Sequence, residues 1–284
     1  PYIELYGTED QRRRFLPKMV TGEYTSAIAM TEPGAGSDLQ AIRTRAILDG
    51  DHYLLNGQKT FISNAQNADL IIVAAKTDPQ GGARGVSLLI LETGDAEGFT
   101  LGRNLKKIGC TVQDTSDLFF DNVRVPVENL LGGVEGRGFY HLMQRLPEER
   151  LIMAMSAVVN MECAVDETVA YTKDRSTFGK KLIEHQNTRF KLAECKTTTT
   201  IARAYLERCI DLFVEGRFDA GAGAMAKWWT TEKCCEVIDE CVQLHGGYGY
   251  MRDYPVARRW ADARLGRIAG GTNEIMKDLI GRAL

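Results

Sequence analysis

The chain has 284 residues, 44% of them hydrophobic, which is enough for one large or two ordinary domains with a packed core. Its 35 basic and 38 acidic residues give a formal net charge of -3. This balance argues against a protein that binds nucleic acid or a membrane surface through charge alone, so the expected ligand is a small molecule.

The cysteines and histidines indicate neither a disulfide framework nor a metal site. Seven cysteines without a Cys-x-x-Cys pair fit a protein of a reducing compartment. The four histidines are scattered, and no spacing among them would present two ligands to one metal ion. We therefore predict no metal.

The first predicted element is a helix, because Thr8-Glu9-Asp10-Gln11 has the form of a capping box. The chain starts at Pro1 without an initiator Met, so we expect an N-terminal part to be absent. It has neither a basic and then apolar leader nor a run of 18 apolar residues, and a secreted or membrane-spanning protein is not predicted.

Residues 23–128 have the pattern of strands. Short apolar runs, such as residues 70–74 and 86–91, alternate with Gly, Asp and Asn. Asn56-Gly57 lies between two apolar segments, and both residues tolerate the positive φ of a type I′ turn, which predicts a hairpin there. The region is therefore predicted to be an antiparallel β-domain.

After the glycine-rich residues 132–138 the apolar period changes from two to 3.6. Long helices are predicted at about residues 139–174, 186–215 and 222–244. Strands followed by helices, without βαβ alternation, indicate an α+β protein and argue against a Rossmann domain.

Three glycine-rich segments are candidate binding sites. Residues 30–38 follow an apolar strand, residues 243–250 end a helix in three glycines, and residues 270–272 precede the last helix, with Thr272 as its N-cap. Such segments can bring backbone N–H groups against phosphates or a ring system. Taken singly, the first is equally explained by an ordinary glycine-rich turn, and the second is better explained by a structural role such as a helix C-cap.

Taken together, these segments resemble the acyl-CoA dehydrogenase family over essentially the whole chain. Residues 29–41 (with Met-Thr-Glu-Pro-Gly-Ala-Gly-Ser-Asp) are similar to its first signature and residues 243–262 to its second. Residues 174–179 and His185-Gln186 resemble an intermediate motif. Several motifs in the right order are more specific than any one of them.

The family resemblance implies a fold in which an antiparallel β-domain (residues 23–128) is followed by an α-helical bundle domain (residues 129–284). Residues 1–22 would then be the remnant of an N-terminal helical domain that is mostly absent.

The resemblance implies an FAD enzyme of fatty acid β-oxidation, which removes the α-proton and the β-hydride of an acyl-CoA to give a trans-2-enoyl-CoA. The residues that would line the flavin are Ile28, Met30, Thr31, Gly36, Ser37, Phe61, Ile62 and Ser63. Those that would reach the FAD of a neighbouring subunit are Arg175, Gln186, Gln243, Gly246 and Gly247. Thr272 and Glu274 would hold the subunit's own FAD. The acyl-CoA contacts implied in the same way are Ser37, Arg84, Tyr140 and Arg150.

Glu149 is the catalytic base that the resemblance implies. Most members of the family carry a Glu before the Gly-Thr of the last motif, where this chain has Gly270. A long-chain and isovaleryl-type subgroup instead has its Glu on the helix after the β-domain, immediately before an Arg, as in Glu149-Arg150. Two acids at one α-carbon would repel and one would be protonated, so one carboxylate is enough. Gly270 would then lend a backbone N–H where enolate charge develops.

The resemblance also implies an electron-transfer flavoprotein as the electron acceptor, a homotetramer, and a location in the bacterial cytoplasm or the mitochondrial matrix. The expected substrate is a long-chain or branched acyl-CoA. Two alternatives stay open: a flavin oxidase or monooxygenase on the same scaffold, and a non-catalytic binding or assembly subunit. For Glu149 itself, the alternative interpretation is an ordinary surface charge.

Overall fold

The computed structural model describes residues 1–284, which form two compact units. The first unit comprises residues 1–107 and 111–144, and the second comprises residues 108–110 and 145–284. None of the helices has a stretch that is long and apolar enough to cross a membrane.

The first unit contains two short helices and seven strands. Its elements are α1 (Tyr2–Tyr6), α2 (Glu9–Thr21), β1 (Ser26–Ala29), β2 (Arg45–Asp49), β3 (His52–Ser63), β4 (Leu70–Lys76), β5 (Val86–Glu92), β6 (Phe99–Asn104) and β7 (Thr115–Pro126). The predicted capping box is confirmed: the Thr8 side chain accepts from the Gln11 N–H, and the Gln11 side chain accepts from the Thr8 N–H.

The strands form one sheet in the order β1-β4-β2-β3-β7-β6, and β5 also pairs with β4. Neighbours are antiparallel except for β1 with β4 and a single bridge between β2 and β4. The predicted β-domain is therefore confirmed, with a parallel pair that the sequence did not predict. This pair places Ala29, the last residue of β1, beside Val73 in the middle of β4.

The hairpin predicted at Asn56-Gly57 is wrong. β3 continues through both residues, and the turn between β2 and β3 lies at Gly50-Asp51. The pairing of β3 with β7 shifts register at residues 55–57, so the Asn-Gly pair marks a β-bulge. Gly57 has φ 147, and a Cβ on it would come 2.5 Å from Thr44 Oγ1. Close packing against Thr44 therefore explains this glycine.

Strand β4 is buried on both faces, which explains its continuous apolar sequence. Ile71, Val73 and Ala75 pack into one core, while Leu70, Ile72 and Ala74 pack into another on the opposite face. The second core also contains Phe15 of α2, so the N-terminal helices cover one face of the sheet.

The second unit is helical. Its elements are α3 (Gly138–Asp174), whose first turns belong to the first unit, the two-residue strands β8 (Ser176–Thr177) and β9 (Lys180–Lys181), α4 (Gln186–Val214), α5 (Ala220–His245), α6 (Pro255–Ala263) and α7 (Asn273–Gly281). The three predicted long helices are confirmed. Their shared core contains small and medium side chains of α3, α4 and α5, with Val256 of α6.

We predict that Phe15→Ala lowers the free energy of unfolding by about 3–5 kcal/mol, because a fully buried ring is replaced by a cavity. Urea denaturation followed by circular dichroism measures the change. The control on the same helix is Val20→Ala, which alters a side chain that is 86% exposed and should change stability by less than about 0.5 kcal/mol. A loss below about 1 kcal/mol for Phe15→Ala would contradict the core role of α2.

Candidate active site

In the first unit, the loop after β1 lies beside the end of β3. The Thr60 N–H donates to the Thr31 carbonyl at 2.9 Å, and Asn64 Nδ2 donates to the Ser26 carbonyl at 2.9 Å. The structure therefore brings together the two segments predicted to line the flavin, residues 28–31 and 61–63. Gly36 and Ser37 are exposed further along the same loop.

Phe61 and Ile62 face in different directions. Phe61 is 68% exposed and has φ 58, a conformation that is strained for a bulky residue and is found preferentially at functional sites. Ile62 is buried in the core of the sheet, so its side chain does not line a surface and only its backbone can meet a ligand. Ser63 is exposed beside it.

A buried ion pair, which the sequence analysis missed, holds this loop in place. Lys59 Nζ donates to the Met30 carbonyl at 2.9 Å and to Glu32 Oε1 at 2.8 Å. The Glu32 carboxylate also accepts from the N–H groups of Arg43 (2.6 Å) and Thr44 (3.0 Å). The Lys59 side chain is 0% exposed, so its charge depends on these partners.

The two groups of this pair titrate away from their ordinary ranges. Burial would raise the pKa of Glu32, but the charge of Lys59 and the hydrogen bonds to the carboxylate outweigh burial and lower it. Burial lowers the pKa of Lys59 to about 8, against the opposing attraction of Glu32. Both groups are therefore charged at neutral pH.

Two of the predicted acyl-CoA contacts lie on turns and helix starts of the first unit. Arg84 is an exposed residue of the 3₁₀ turn Gly82–Gly85, which contacts the turn that follows Ser37. Tyr140 is 40% exposed at the start of α3, and the Arg137 guanidinium lies 5.8 Å from its ring centre. Arg84 thus lies on a turn that contacts the turn Leu39–Ala41, Ser37 is exposed two residues before that turn, and Tyr140 is exposed on the helix.

In the second unit, one turn of α3 abuts the Gly270 loop. Arg150 Nε donates to the Gly270 carbonyl at 3.2 Å, and the Met153 Sδ atom would lie 2.6 Å from a Cβ built on Gly270. Glu149 is half-buried next to Arg150, and Met153 is four residues beyond it. Because residues four apart share a helix face, Glu149 lies on the face that meets Gly270.

The two glycines of this loop have no space for larger residues. Gly270 has φ 65 and Gly271 has φ 90, both in the region that side chains disfavour. A Cβ on Gly271 would come 2.8 Å from the Met276 Cε atom. A carboxylate-bearing residue at position 270 is therefore excluded unless Met153 moves.

A second completely buried lysine, also missed in the sequence analysis, holds the other end of the loop. Lys227 of α5 donates from Nζ to the Gly271 carbonyl at 2.7 Å and to Asn273 Oδ1 at 2.9 Å. Burial, reinforced by the nearby charge of Arg150, lowers the pKa of Lys227 to about 8. Burial likewise lowers the pKa of Arg150, although the charge of Glu149 opposes this shift. The loop is thus held by two buried cations.

Thr272 and Glu274 occupy the start of α7, as predicted. Thr272 is the N-cap, since its Oγ1 accepts from the Ile275 N–H at 3.3 Å. Hydrogen bonds from its own N–H and from Thr272 lower the pKa of Glu274, whose carboxylate is exposed. An acidic residue in the first turn also complements the helix dipole.

The predicted motif residues at the far end of α5 line a separate cavity of about 570 Å³. Arg175, Gln243, Gly246 and Gly247 form part of its wall, together with Tyr248. The Arg175 guanidinium lies 5.8 Å from the Tyr248 ring centre. Gln186 is exposed at the start of α4 and does not line this cavity.

Both buried lysines occupy positions that the apolar pattern of their strand or helix directs into the core. Lys59 continues the inward alternation of Tyr53 and Leu55, but the wrongly predicted hairpin hid this alternation. Lys227 lies in a stripe of buried small residues that recur at helical spacing on α5, including Ala224, Thr231 and Cys234. A lysine in such a stripe indicates a buried, partnered charge.

Two family models match the chain. Residues 27–123 match the middle domain of acyl-CoA dehydrogenase, and residues 136–284 match its C-terminal domain.

Individual relatives match all or nearly all of the chain. It is 49% identical over 286 aligned residues to the mitochondrial long-chain specific acyl-CoA dehydrogenase of Sus scrofa, with 100% of this chain and 66% of that relative covered. The chain therefore spans slightly less than two thirds of that protein. It is 38% identical to a subunit of the caffeyl-CoA reductase-Etf complex of Acetobacterium woodii, with 97% of this chain and 72% of that protein covered.

A solved structure, that of an acyl-CoA dehydrogenase from Geobacillus kaustophilus, is similar in sequence and in fold. It is 51% identical, superposes with a TM-score of 0.97, and is matched over 100% of this chain and 74% of its own.

We predict that Glu32→Gln destabilises the protein by about 3–5 kcal/mol at pH 7, because it leaves the Lys59 ammonium buried without its anion. The pKa of Glu32 is lowered from 4.5 by folding, so the stabilisation is complete above that pH and is lost as the pH falls below it. The difference between wild type and variant in urea denaturation should therefore shrink below about pH 4.5.

The matched control for this experiment is Glu23→Gln, which alters a carboxylate that is 63% exposed. It should change stability by less than about 0.5 kcal/mol. A difference between wild type and Glu32→Gln that stays constant from pH 7 to pH 3 would contradict the ion-pair role of Glu32.

Proposed function

Because the chain belongs to the acyl-CoA dehydrogenase family, we propose that, with FAD bound, it removes hydrogen from the α- and β-carbons of an acyl-CoA thioester to form a trans-2-enoyl-CoA. Glu149 is the base in this proposal, and the segment from Gly270 to Thr272 supplies backbone donors.

The observation that carries the proposal is the contact of the Glu149 turn of α3 with Gly270. Arg150 binds the Gly270 carbonyl, and Met153 fills the space beside the Gly270 α-carbon. A side chain at the position where most family members carry their acid would therefore have to displace Met153 and adopt a strained backbone conformation. An acid on the facing helix turn is the carboxylate that can serve the same place.

In the proposed reaction, the bond between the α-carbon and its hydrogen breaks, and the proton passes to a carboxylate oxygen of Glu149. The electron pair left behind forms the double bond as the hydride leaves the β-carbon. FAD, when bound, accepts this hydride. A general base positioned in this way contributes typically about 10²–10⁴-fold to the rate.

Backbone donors of the Gly270 loop support the enolate-like charge that develops on the thioester oxygen. Neither the N–H of Gly271 nor that of Thr272 donates to a backbone carbonyl of the chain. Both groups precede the start of α7, where the helix dipole adds a positive potential. These N–H groups are therefore available to a ligand oxygen.

The residues present fit FAD. The N–H groups at the start of α7 suit an oxygen-rich part of the cofactor, and the exposed, strained Phe61 and the loop of residues 30–37 offer a surface for a ring system. Arg175 and the glycines 246–247 offer a cation and close backbone approach in the cavity at the end of α5. Following the family resemblance, we assign the surface with Phe61 and residues 30–37 to the flavin ring, the start of α7 to the subunit's own FAD, and the cavity to the FAD of a neighbouring subunit.

We propose a long-chain or branched acyl-CoA as the substrate. The support is the 49% identity to the long-chain specific relative, together with an acid on α3 immediately before an Arg. The proposed acyl-CoA contacts are Ser37, Arg84, Tyr140 and Arg150. Arg150 also donates to the Gly270 carbonyl, so it would contact the substrate while bound to this loop.

The proposed electron acceptor is an electron-transfer flavoprotein, and the proposed assembly is a homotetramer. A relative at 38% identity is named as a subunit of a complex with Etf, which supports the first of these. The proposed location is the bacterial cytoplasm or the mitochondrial matrix, since one relative is named as mitochondrial and a solved relative is bacterial.

We predict that Glu149→Gln reduces dehydrogenation of acyl-CoA by at least about 10²-fold, because the amide cannot accept the α-proton. FAD content, measured by absorbance, should be unchanged. The measurement is flavin bleaching with straight-chain acyl-CoAs of increasing length and with branched ones. The matched control is Glu148→Gln, since Glu148 pairs with Arg145 on the same helix and should not be needed for turnover.

Turnover of Glu149→Gln within about three-fold of wild type would refute Glu149 as the base. Slow reoxidation of the reduced protein in air supports the dehydrogenase, and rapid reoxidation would favour the oxidase or monooxygenase alternative. A full-length protein that purifies without bound flavin would favour a non-catalytic subunit.

A further inference from the structure

Lys227 is a buried cation whose direct partners carry no charge. Its side chain is 0% exposed, and its ammonium donates to the Gly271 carbonyl and to the side-chain oxygen of Asn273. Lysine is almost never buried completely unless it is partnered, because removing its charge from water is costly. The two acceptors lie on either side of Thr272, so the ammonium bridges the end of the glycine loop and the start of α7.

A network of side chains fixes the orientation of Asn273. Its Nδ2 donates to Glu232 Oε2 at 2.9 Å, while its Oδ1 accepts from Thr231 Oγ1 at 3.2 Å as well as from Lys227. Glu232 is paired with Arg267 at 2.9 Å. The amide of Asn273 therefore cannot rotate without breaking contacts at both ends, and Lys227 has a fixed acceptor.

The peptide groups that accept from Arg150 and Lys227 carry the two N–H groups of the loop that donate to no backbone carbonyl. The Gly270 carbonyl shares its peptide group with the Gly271 N–H, and the Gly271 carbonyl shares its group with the Thr272 N–H. A cation bound to a carbonyl polarises the peptide and strengthens its N–H as a donor. The two cations thus act on neighbouring donors.

We propose that Lys227 is a positioning residue for the reaction: its ammonium fixes the Gly271–Thr272 peptide group and strengthens the Thr272 N–H as a donor to the ligand. Lys227 touches neither substrate nor cofactor in this arrangement and acts through the loop. The inference rests on the proposed function for its catalytic consequence, but the fixing of the loop is a property of the protein itself.

The charged groups that face Lys227 are Arg150 on α3, Glu232 on α5 and Glu274 on α7. Since the pKa of Lys227 is lowered to about 8, its ammonium is protonated at neutral pH and loses its charge in the alkaline range. A neutral amine is a weaker donor than an ammonium, so the hold on the loop should weaken as the pH rises.

The test compares wild type, Lys227→Met and the control Lys233→Met in the flavin-loaded protein. Lys233 is on the same helix, is partly exposed and pairs with Glu236. Amide hydrogen exchange of peptides covering residues 268–276, read by mass spectrometry and corrected for the intrinsic rate, should rise at least about ten-fold in Lys227→Met. It should be unchanged in Lys233→Met. Equal exchange in all three proteins would overturn the proposal.

A second readout separates positioning from general loosening. In the wild type, corrected exchange of the same peptides should rise several-fold between about pH 7 and pH 9.5, and Lys227→Met should lack this rise. If Lys227→Met does not fold, the proposal is tested by two other measurements: the pH dependence of exchange in the wild type, and the exchange rate of the same peptides in Asn273→Ala. Faster exchange in Asn273→Ala, together with the alkaline rise, supports the proposal. A flat wild-type series overturns it.

Turnover gives the third readout. Lys227→Met should lower kcat for acyl-CoA by at least about ten-fold while KM changes less than about three-fold, because the donors act on charge that develops during the reaction. A wild type without acyl-CoA turnover would refute the proposed function and leave the exchange result readable. Faster exchange with unchanged kcat would refute the catalytic consequence.

Discussion

Two ammonium groups that are completely withdrawn from water hold the loops on which the candidate site depends. Lys59 binds the Met30 carbonyl in the first unit, and Lys227 binds the Gly271 carbonyl in the second. Carbonyl groups of a buried loop have no partner in a helix or sheet and must accept hydrogen bonds from other groups. A buried ammonium, in turn, must be surrounded by hydrogen-bond acceptors. Each loop therefore needs its lysine, and each lysine needs its loop. This mutual requirement fixes the backbone of each segment at the carbonyl that its lysine binds.

The glycine at position 270 is matched by the side chains that pack around it. The family resemblance places an acid at this position in most members, whereas this chain has Gly270, and Met153 Sδ lies 2.6 Å from where a Cβ would begin. Since Met153 and Glu149 share a helix face, the turn that closes one position presents an acid on the same side. The glycine, the methionine and the acid are consequently best understood as one arrangement. A change at one of them would be felt by the other two, so their effects should not be additive.

Much of the fold was predictable because the spacing of apolar residues and the residues that form turns and helix caps are properties of short segments of the sequence. The long helices and the Thr8 capping box follow from patterns that neighbouring residues create. The prediction of a hairpin at Asn56-Gly57 was wrong because β-bulges and tight turns favour the same residue types. The close packing of Thr44 against Gly57, which the local sequence does not show, favours the bulge. The parallel pairing of β1 with β4 is likewise a long-range choice. For the site, the motifs indicated which loops matter. The buried lysines that hold these loops can be identified only when it is known which residues of β3 and which face of α5 point into the core.

Helix α5 carries two of the candidate surfaces at a fixed separation. Lys227 meets the Gly271 loop near one end, and Gly246-Gly247 follow its other end, about 27 Å away at 1.5 Å per residue. A rigid helix cannot bring these surfaces to the same group of a ligand. The start of α7 and the far cavity therefore fit the proposed homotetramer, in which one serves the subunit's own FAD and the other a neighbour's. In such an assembly we expect the exposed side chains near the cavity to be covered, including Phe178, which follows the cavity-lining Thr177 and is 97% exposed.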